Sequence, residues 1–169
     1  MTYHDIYYGG RPTCHIYERG VQKITRQCET LLSDMGVDIV DTPEADFAVA
    51  PYLQKIIPEA ELSNFKKGVL VFHPSLLPIY RGKTSIRDAF KNGDDYTGVT
   101  WFWANTGVDM GDICEQTVLK ISGSPREFYE GAVIPAGVLL LELIIKDLFA
   151  GTERRRPQEL SINSGVTVG

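Results

Sequence analysis

Short apolar runs that alternate with amphipathic stretches predict an α/β fold, a doubly wound, mostly parallel sheet with helices on both faces. Two observations carry this. Phe47-Ala48-Val49-Ala50 and Val69-Leu70-Val71-Phe72 are continuous apolar runs of strand length, the composition of strands covered on both sides. Val21, Ile24, Cys28, Leu31, Leu32 and Met35 recur at three- and four-residue spacing, which marks a helix with one buried face. At 169 residues and 43% hydrophobic, the chain fits a single domain over 1–151 followed by a short tail over 152–169, with a core that needs no metal or disulfide.

In chain order, residues 3–8 predict a short strand ending at Gly9-Gly10, and the amphipathic helix that follows is stopped by Gly36. Residues 37–40 and 47–50 read as strands. Pro58 suits the first turn of a short helix running to about Phe65, and 69–72 form the buried strand that delivers His73. Residues 83–92 predict a compact helix closed by Gly93, and 98–104 and 113–121 two strands joined by a glycine-bounded loop. Ser124-Pro125-Arg126-Glu127 has the capping serine, first-turn proline and third-position glutamate of a helix start. The helix it opens runs to about Phe149 and is expected to kink at Pro135. Past Gly151 the composition turns polar, as in an irregular tail.

A net charge of −5 argues against nucleic acid as a partner, because neutralising phosphates requires clustered lysine and arginine. The one basic cluster, Arg154-Arg155-Arg156, reads as a solvated helix end. Gly9-Gly10-Arg11 opens no phosphate-loop pattern and reads as a glycine turn. Cys14, Cys28 and Cys114 are odd in number and widely spaced, so reduced core thiols are expected rather than a disulfide framework or a metal site. No leader or membrane-length apolar run stands out, so a cytoplasmic protein without a membrane partner is expected.

Chemistry concentrates in two strings. His73-Pro74-Ser75-Leu76-Leu77-Pro78-Ile79-Tyr80-Arg81-Gly82 places an imidazole at the exit of a buried strand, where open α/β sheets bind ligands. Gly107-Val108-Asp109-Met110-Gly111 places a carboxylate between two glycines that let the backbone turn sharply. An imidazole titrating near neutrality and a carboxylate that orients it, or orders a water, are the parts of a proton-transfer site.

The string HPSLLPIYRG resembles the signature of the folate-dependent formyltransferases, and GVDMGD resembles that family's second signature. The resemblance implies a formyltransferase-like, truncated Rossmann-type domain that moves a formyl group from 10-formyltetrahydrofolate to an amine, with His73 and Asp109 as the catalytic residues. Pro51 to Ile56 occupies the place of a segment lining the pterin cleft, which implies ligand contacts from Tyr52, Leu53, Gln54 and Ile56. The first signature adds Ser75, Leu77 and Arg81, the similar string from Phe102 to Asp109 adds Trp103, and its loop of Ala104, Asn105, Thr106 and Gly107 would offer backbone groups to the pterin edge. Arg81 would meet an anionic or carbonyl group.

The chain departs from the transferring members at Val71, where they carry an asparagine whose amide helps hold the formyl oxygen. Loss of one such donor can cost ~10²–10³ in rate. An aliphatic residue at this position resembles the hydrolase domain of 10-formyltetrahydrofolate dehydrogenase. Hydrolysis of the donor, or folate binding with impaired catalysis, are therefore the alternatives. Seventy-two residues precede the histidine, fewer than is usual in the family, so at least one strand-helix unit is expected to be missing and a homo-oligomer could cover the edge it leaves. A tRNA acceptor is disfavoured, and a small amine-bearing substrate stays open.

Overall fold

The computed structural model describes residues 10–158; the strand expected over 3–8 lies outside them. In chain order the elements are β1 (Thr13–Ile16), α1 (Lys23–Asp34), β2 (Asp38–Val40), β3 (Phe47–Ala50), the one-turn α2 (Glu59–Leu62), β4 (Val69–His73), α3 (Ser85–Asn92), β5 (Tyr96–Trp103), β6 (Ile113–Lys120), α4 (Pro125–Phe128) and α5 (Ile134–Ala150). They build a six-stranded sheet of order β2-β1-β3-β4-β5-β6. β2, β1, β3 and β4 are parallel, and β5 and β6 run antiparallel at one edge.

Strand β1 was not apparent in the sequence, because Thr13 and His15 interrupt any apolar run. It is held by polar bonds at its start. The Asp46 carboxylate accepts the Thr13 amide at 2.8 Å and the Thr13 hydroxyl at 3.1 Å, and the Asp46 amide donates back to Thr13 Oγ1 at 3.0 Å. This fixes the start of β1 against the start of β3.

Alternation along β3 and β4 separates the two faces of the sheet. Phe47, Val49, Leu70 and Phe72 face α1 and α5, in a cluster with Ile24, Cys28 and Leu32 of the first helix and Leu141, Ile144 and Ile145 of the second. Each such side chain, fully buried, contributes roughly 1.5–3 kcal/mol. Trp101 is completely buried there and donates its indole N–H to the Gly137 carbonyl at 2.8 Å, which docks α5. Ala48, Ala50, Val69 and Val71 face the other way, against Ile57, Phe65, Leu77 and Phe102. Helical cover is uneven: among the described residues this second face carries only the short α2, with loops for the rest.

Gly93, at φ +71°, closes α3 as the sequence indicates. The Ser124 capping box forms in full. The helix after it does not simply kink at Pro135; it widens into a π turn over Tyr129–Val133 before α5 begins. Proline has no N–H to donate to the carbonyl four residues back, and the wider turn absorbs that loss upstream of the ring. The three cysteines are buried and unpaired, and burial pushes the Cys28 and Cys114 thiols up to about 12. No helix among the described residues is long and apolar enough to cross a membrane.

The arginine cluster is a correction to the sequence reading. α5 ends at Ala150 with Gly151 as its left-handed cap, so Arg154, Arg155 and Arg156 are not a helix end. Arg154 pairs with Glu115 at 2.9 Å, the Arg155 guanidinium lies over the Trp103 ring, 3.7 Å from its centroid, and the Arg156 backbone pairs with Ile113. These contacts lead the chain back across the molecule toward the loop that carries Asp109.

Candidate active site

His73 is the last residue of β4 and points, with Val71, to the face that lacks long helices. Because β5 runs antiparallel to β4, the chain leaves Trp103 near the start of β4. It then turns back: the Ala104 amide donates to Val69 O at 2.8 Å, and the Trp103 amide to Asp112 O at 2.8 Å closes the neck of the loop. The loop folds over the sheet and brings Asp109 to His73.

Between them, His73 Nδ1 and Asp109 Oδ2 lie 3.4 Å apart, with side-chain exposures of 6% and 17%. His73 Nε2 is 2.7 Å from the Tyr80 carbonyl, an acceptor. In the neutral imidazole the proton therefore sits on Nε2, and Nδ1 keeps its lone pair facing the carboxylate. Burial lowers the His73 pKa below its ordinary value, while the Asp109 charge and the Tyr80 carbonyl pull the other way. The resting imidazole is a buried neutral base whose protonated form has two acceptors waiting. Asp109 Oδ2 also accepts the Gly82 amide at 2.7 Å.

Three residues in this cluster have left-handed backbone: Tyr80 at φ +54°, Gly82 at +93° and Asp109 at +51°. Glycine adopts that region freely; tyrosine and aspartate do so at a cost. The surroundings enforce it. The Tyr80 hydroxyl donates to Asp94 Oδ2 at 2.6 Å, and Asn92 Nδ2 donates to the hydroxyl oxygen at 2.8 Å. Gly111 admits no side chain at all, because a Cβ there would stand 1.6 Å from the Trp103 carbonyl oxygen.

Beside the pair lies a cleft of about 530 Å³, within the size range of small-ligand sites. Tyr52, Leu53, Gln54 and Ile56 line it, as do Ala104, Asn105 and Gly107, together with Val71 and Phe102 as an apolar floor. The Tyr52 hydroxyl and the Gln54 amide are hydrogen-bonded to each other.

Five residues expected at the ligand do not line the cleft. Ser75 is fully buried and donates to Ile79 O at 2.6 Å, shaping its own loop. Leu77 is buried in the second core cluster. Trp103 donates its indole N–H to Arg154 O at 2.8 Å. Thr106 is exposed on the loop. Arg81 turns away to donate to Asp109 O at 3.2 Å and to Gln158 Oε1 at 2.7 Å, so its charge serves the Asp109 loop.

The cleft also has lining residues that the sequence did not single out: Lys83, Thr84, Ser85 and Arg87 at the start of α3, Lys55, and Tyr129 from the π turn. For Lys83 and Arg87 a signal existed, since they lie one and five positions past the His73 string, which ends at Gly82. Tyr129 lies fifty-six positions past His73 and had none.

A family model described as formyl transferase matches residues 13–126. The chain is 31% identical over 116 residues to mouse cytosolic 10-formyltetrahydrofolate dehydrogenase, a match covering 68% of this chain and 13% of that protein. It is 31% identical over 134 residues to the methionyl-tRNA formyltransferase of Macrococcus caseolyticus, covering 78% of this chain and 43% of that one. It thus spans less than half the length of either. Among solved structures, HypX from Aquifex aeolicus in complex with tetrahydrofolic acid superposes with a TM-score of 0.76 at 20% identity, over 88% of this chain and 28% of that one. The phosphoribosylglycinamide formyltransferase of Streptococcus pneumoniae superposes at 0.66 and 18% identity, over 83% of this chain and 99% of that one. These two share the fold. The family match takes in all six strands, the His73 loop and the Asp109 loop, and on that extent the chain belongs to the formyl transferase family.

Proposed function

We propose that this chain transfers a formyl group from 10-formyltetrahydrofolate to an amine, with His73 as the proton-transfer group and Asp109 as the carboxylate that stabilises its charged form. The observation that carries the reading is the pair itself, a buried imidazole and a carboxylate 3.4 Å apart beside a cleft. The cleft fits a flat heterocycle. Leu53, Ile56, Val71 and Phe102 offer apolar walls, and Gln54, Asn105 and the loop residues Ala104, Gly107 and Val108 stand at an edge where polar groups can meet it.

When bound, the folate supplies a formyl carbon open to attack and a nitrogen that leaves. The residues of this chain handle charge and protons around that carbon. His73 enters neutral, with its lone pair on Nδ1, and that atom takes a proton from the attacking amine as the new C–N bond forms. The imidazolium then has Nε2–H on the Tyr80 carbonyl and Nδ1–H beside Asp109 and the formyl oxygen, where it stabilises the negative charge that builds there. Returning the proton from Nδ1 to the leaving nitrogen as its C–N bond breaks restores the neutral base. Val71 contributes no donor to that oxygen, so more of the stabilisation falls on His73.

Val71 is also the observation that favours the second reading, water in place of the amine. One experiment separates the two. The protein is incubated with 10-formyltetrahydrofolate alone and with a panel of primary amines that are neutral, carboxylated or phosphorylated; tetrahydrofolate is followed by absorbance and N-formyl product by mass spectrometry. Transfer predicts amine-dependent tetrahydrofolate release with stoichiometric formylated product. Release at an unchanged rate without amine indicates hydrolysis. Full activity in His73→Ala would remove both readings.

A further inference from the structure

The segment after α5 reaches the catalytic pair through one side chain. Gln158 Nε2 donates to the Asp109 carbonyl at 2.9 Å and to the Gly111 carbonyl at 2.8 Å, while its Oε1 accepts Arg81 Nη2 at 2.7 Å. Arg81 Nε closes the ring on the same Asp109 carbonyl at 3.2 Å. One carboxamide therefore joins the loop after β4, the loop between β5 and β6, and the chain that follows α5.

Asp109 needs such a brace. Its backbone sits at φ +51°, in a region uncommon for any residue but glycine. The loop around it has few internal bonds: the Gly107 amide meets Asn105 Oδ1 at 2.9 Å, and the neck bond from Trp103 lies three residues past Asp109. The Gly82 amide holds the carboxylate at 2.7 Å, and the pair of donors from Arg81 and Gln158 fixes the carbonyl of the same residue, so the backbone that carries the side chain is held as well. Two carbonyl oxygens and a guanidinium must be met at one point, and a carboxamide, with donors on one arm and an acceptor on the other, meets all three.

We propose that Gln158 is a positioning residue of this active site, holding the Asp109 loop in the conformation that aims its carboxylate at His73, so that the segment following α5 belongs to the catalytic unit. The inference rests on the assignment of His73 and Asp109 as the working pair.

Two variants test it, Gln158→Leu and Gln158→Glu. The second keeps the shape and the bond to Arg81 but turns a carboxylate oxygen toward two carbonyl oxygens, which repels the loop. Gln158 lies outside both core clusters, so both variants are expected to fold, checked by near-UV circular dichroism. The expected result is a fall in kcat of roughly tenfold to 10²-fold, the scale set by small misplacements at a reacting centre. Donor KM, and the affinity for the non-reactive analogue 5-formyltetrahydrofolate, should change less than kcat, because the walls made by Leu53, Ile56, Val71 and Phe102 stay in place and only the loop side of the cleft shifts.

The second readout needs no turnover. Asp109 is the charge that faces the His73 ring, with Arg81 bonded to the Asp109 backbone; if the carboxylate swings away, the imidazole of the free protein titrates at lower pH by NMR. A folded variant with kcat within twofold of wild type overturns the proposal, and so does a fall in kcat with an unmoved His73 titration. Activity surviving in His73→Ala would instead overturn the catalytic pair, so the two failures are distinguishable.

Discussion

Asp109→Asn is the substitution that isolates the charge of the pair from its shape. The asparagine Oδ1 can keep the Gly82 amide bond seen at 2.7 Å, so the loop should hold its place while the negative charge disappears. Under the proposed mechanism the loss falls on the step in which His73 is protonated. Two unit charges at the 3.4 Å separation of Nδ1 and Oδ2 attract by ~1 kcal/mol in water and ~5 kcal/mol at an effective dielectric near 20. Both side chains are largely buried yet border an open cleft, which puts the working value near the middle, about 3 kcal/mol, or ~10² in kcat. The assay is tetrahydrofolate release at saturating donor across a pH series. kcat should fall about 10²-fold with donor KM within about threefold. The acid limb should also move to lower pH, because Asp109 is what raises the His73 pKa against burial. A fall of less than about threefold in kcat, or an acid limb that moves up, would refute the electrostatic role.

The wild-type profile of kcat/KM should lose activity as pH falls through a His73 pKa lying below the ordinary value near 6.5, because burial favours the neutral base; an acid limb above that value would contradict the environment described here. The same depression makes folding sensitive to acid: the unfolded chain takes up the proton first, so stability is full above pH ~6.5 and declines as pH falls from there toward the folded pKa, measurable as a drop in urea midpoint that His73→Gln reduces. Val71→Asn puts an amide on the wall beside His73 and should raise transfer to an accepted amine by ~10²–10³ if the missing donor limits the rate; an unchanged rate with unchanged folate binding would show that it does not. Lys83 and Arg87 line the mouth without an ion pair among the described residues, so Arg87→Gln should raise the KM of an acidic substrate several-fold, roughly the worth of one exposed charge, and flatten its salt dependence, with a neutral amine unaffected.

The sequence showed the two strings and the strand that carries the first, because a run of apolar residues ending in His73 has one physical interpretation. What it could not show is that Asp109 arrives there by retracing the sheet. That depends on β5 pairing antiparallel to β4, so that the loop after Trp103 starts at the far end and must fold back. Side-chain direction within a matched string was equally hidden. Ser75, Leu77, Arg81 and Trp103 sit on the right segments, yet alternation and local bonding turn them inward or sideways, and only coordinates distinguish a residue that lines a cleft from one that shapes the loop behind it. β1 escaped notice because Thr13 and His15 carry no apolar run, and Gln158 because a polar tail gives no sign of its anchor.

The uneven cover of the sheet explains why the site is where it is. On the face packed by α1 and α5, apolar side chains of sheet and helices interlock in the larger of the two core clusters. On the other, the strands offer Ala48, Ala50, Val69 and Val71, small enough that loops can lie close without filling the volume above them. The cleft lies between those loops, the strands and the start of α3, and its loop walls are only as fixed as the bonds between loops. That places the burden on Tyr80, Gly82 and Asp109, whose left-handed backbones are enforced by polar bonds rather than by packing. Such conformations persist only while several partners over-determine them. It follows that the loop carrying Asp109 should open at lower free energy than the sheet, with the amides of 105–111 exchanging hydrogen before those of β4 and β5, and that under the proposed mechanism bonds linking loop to loop should matter more to turnover than to the stability of the fold.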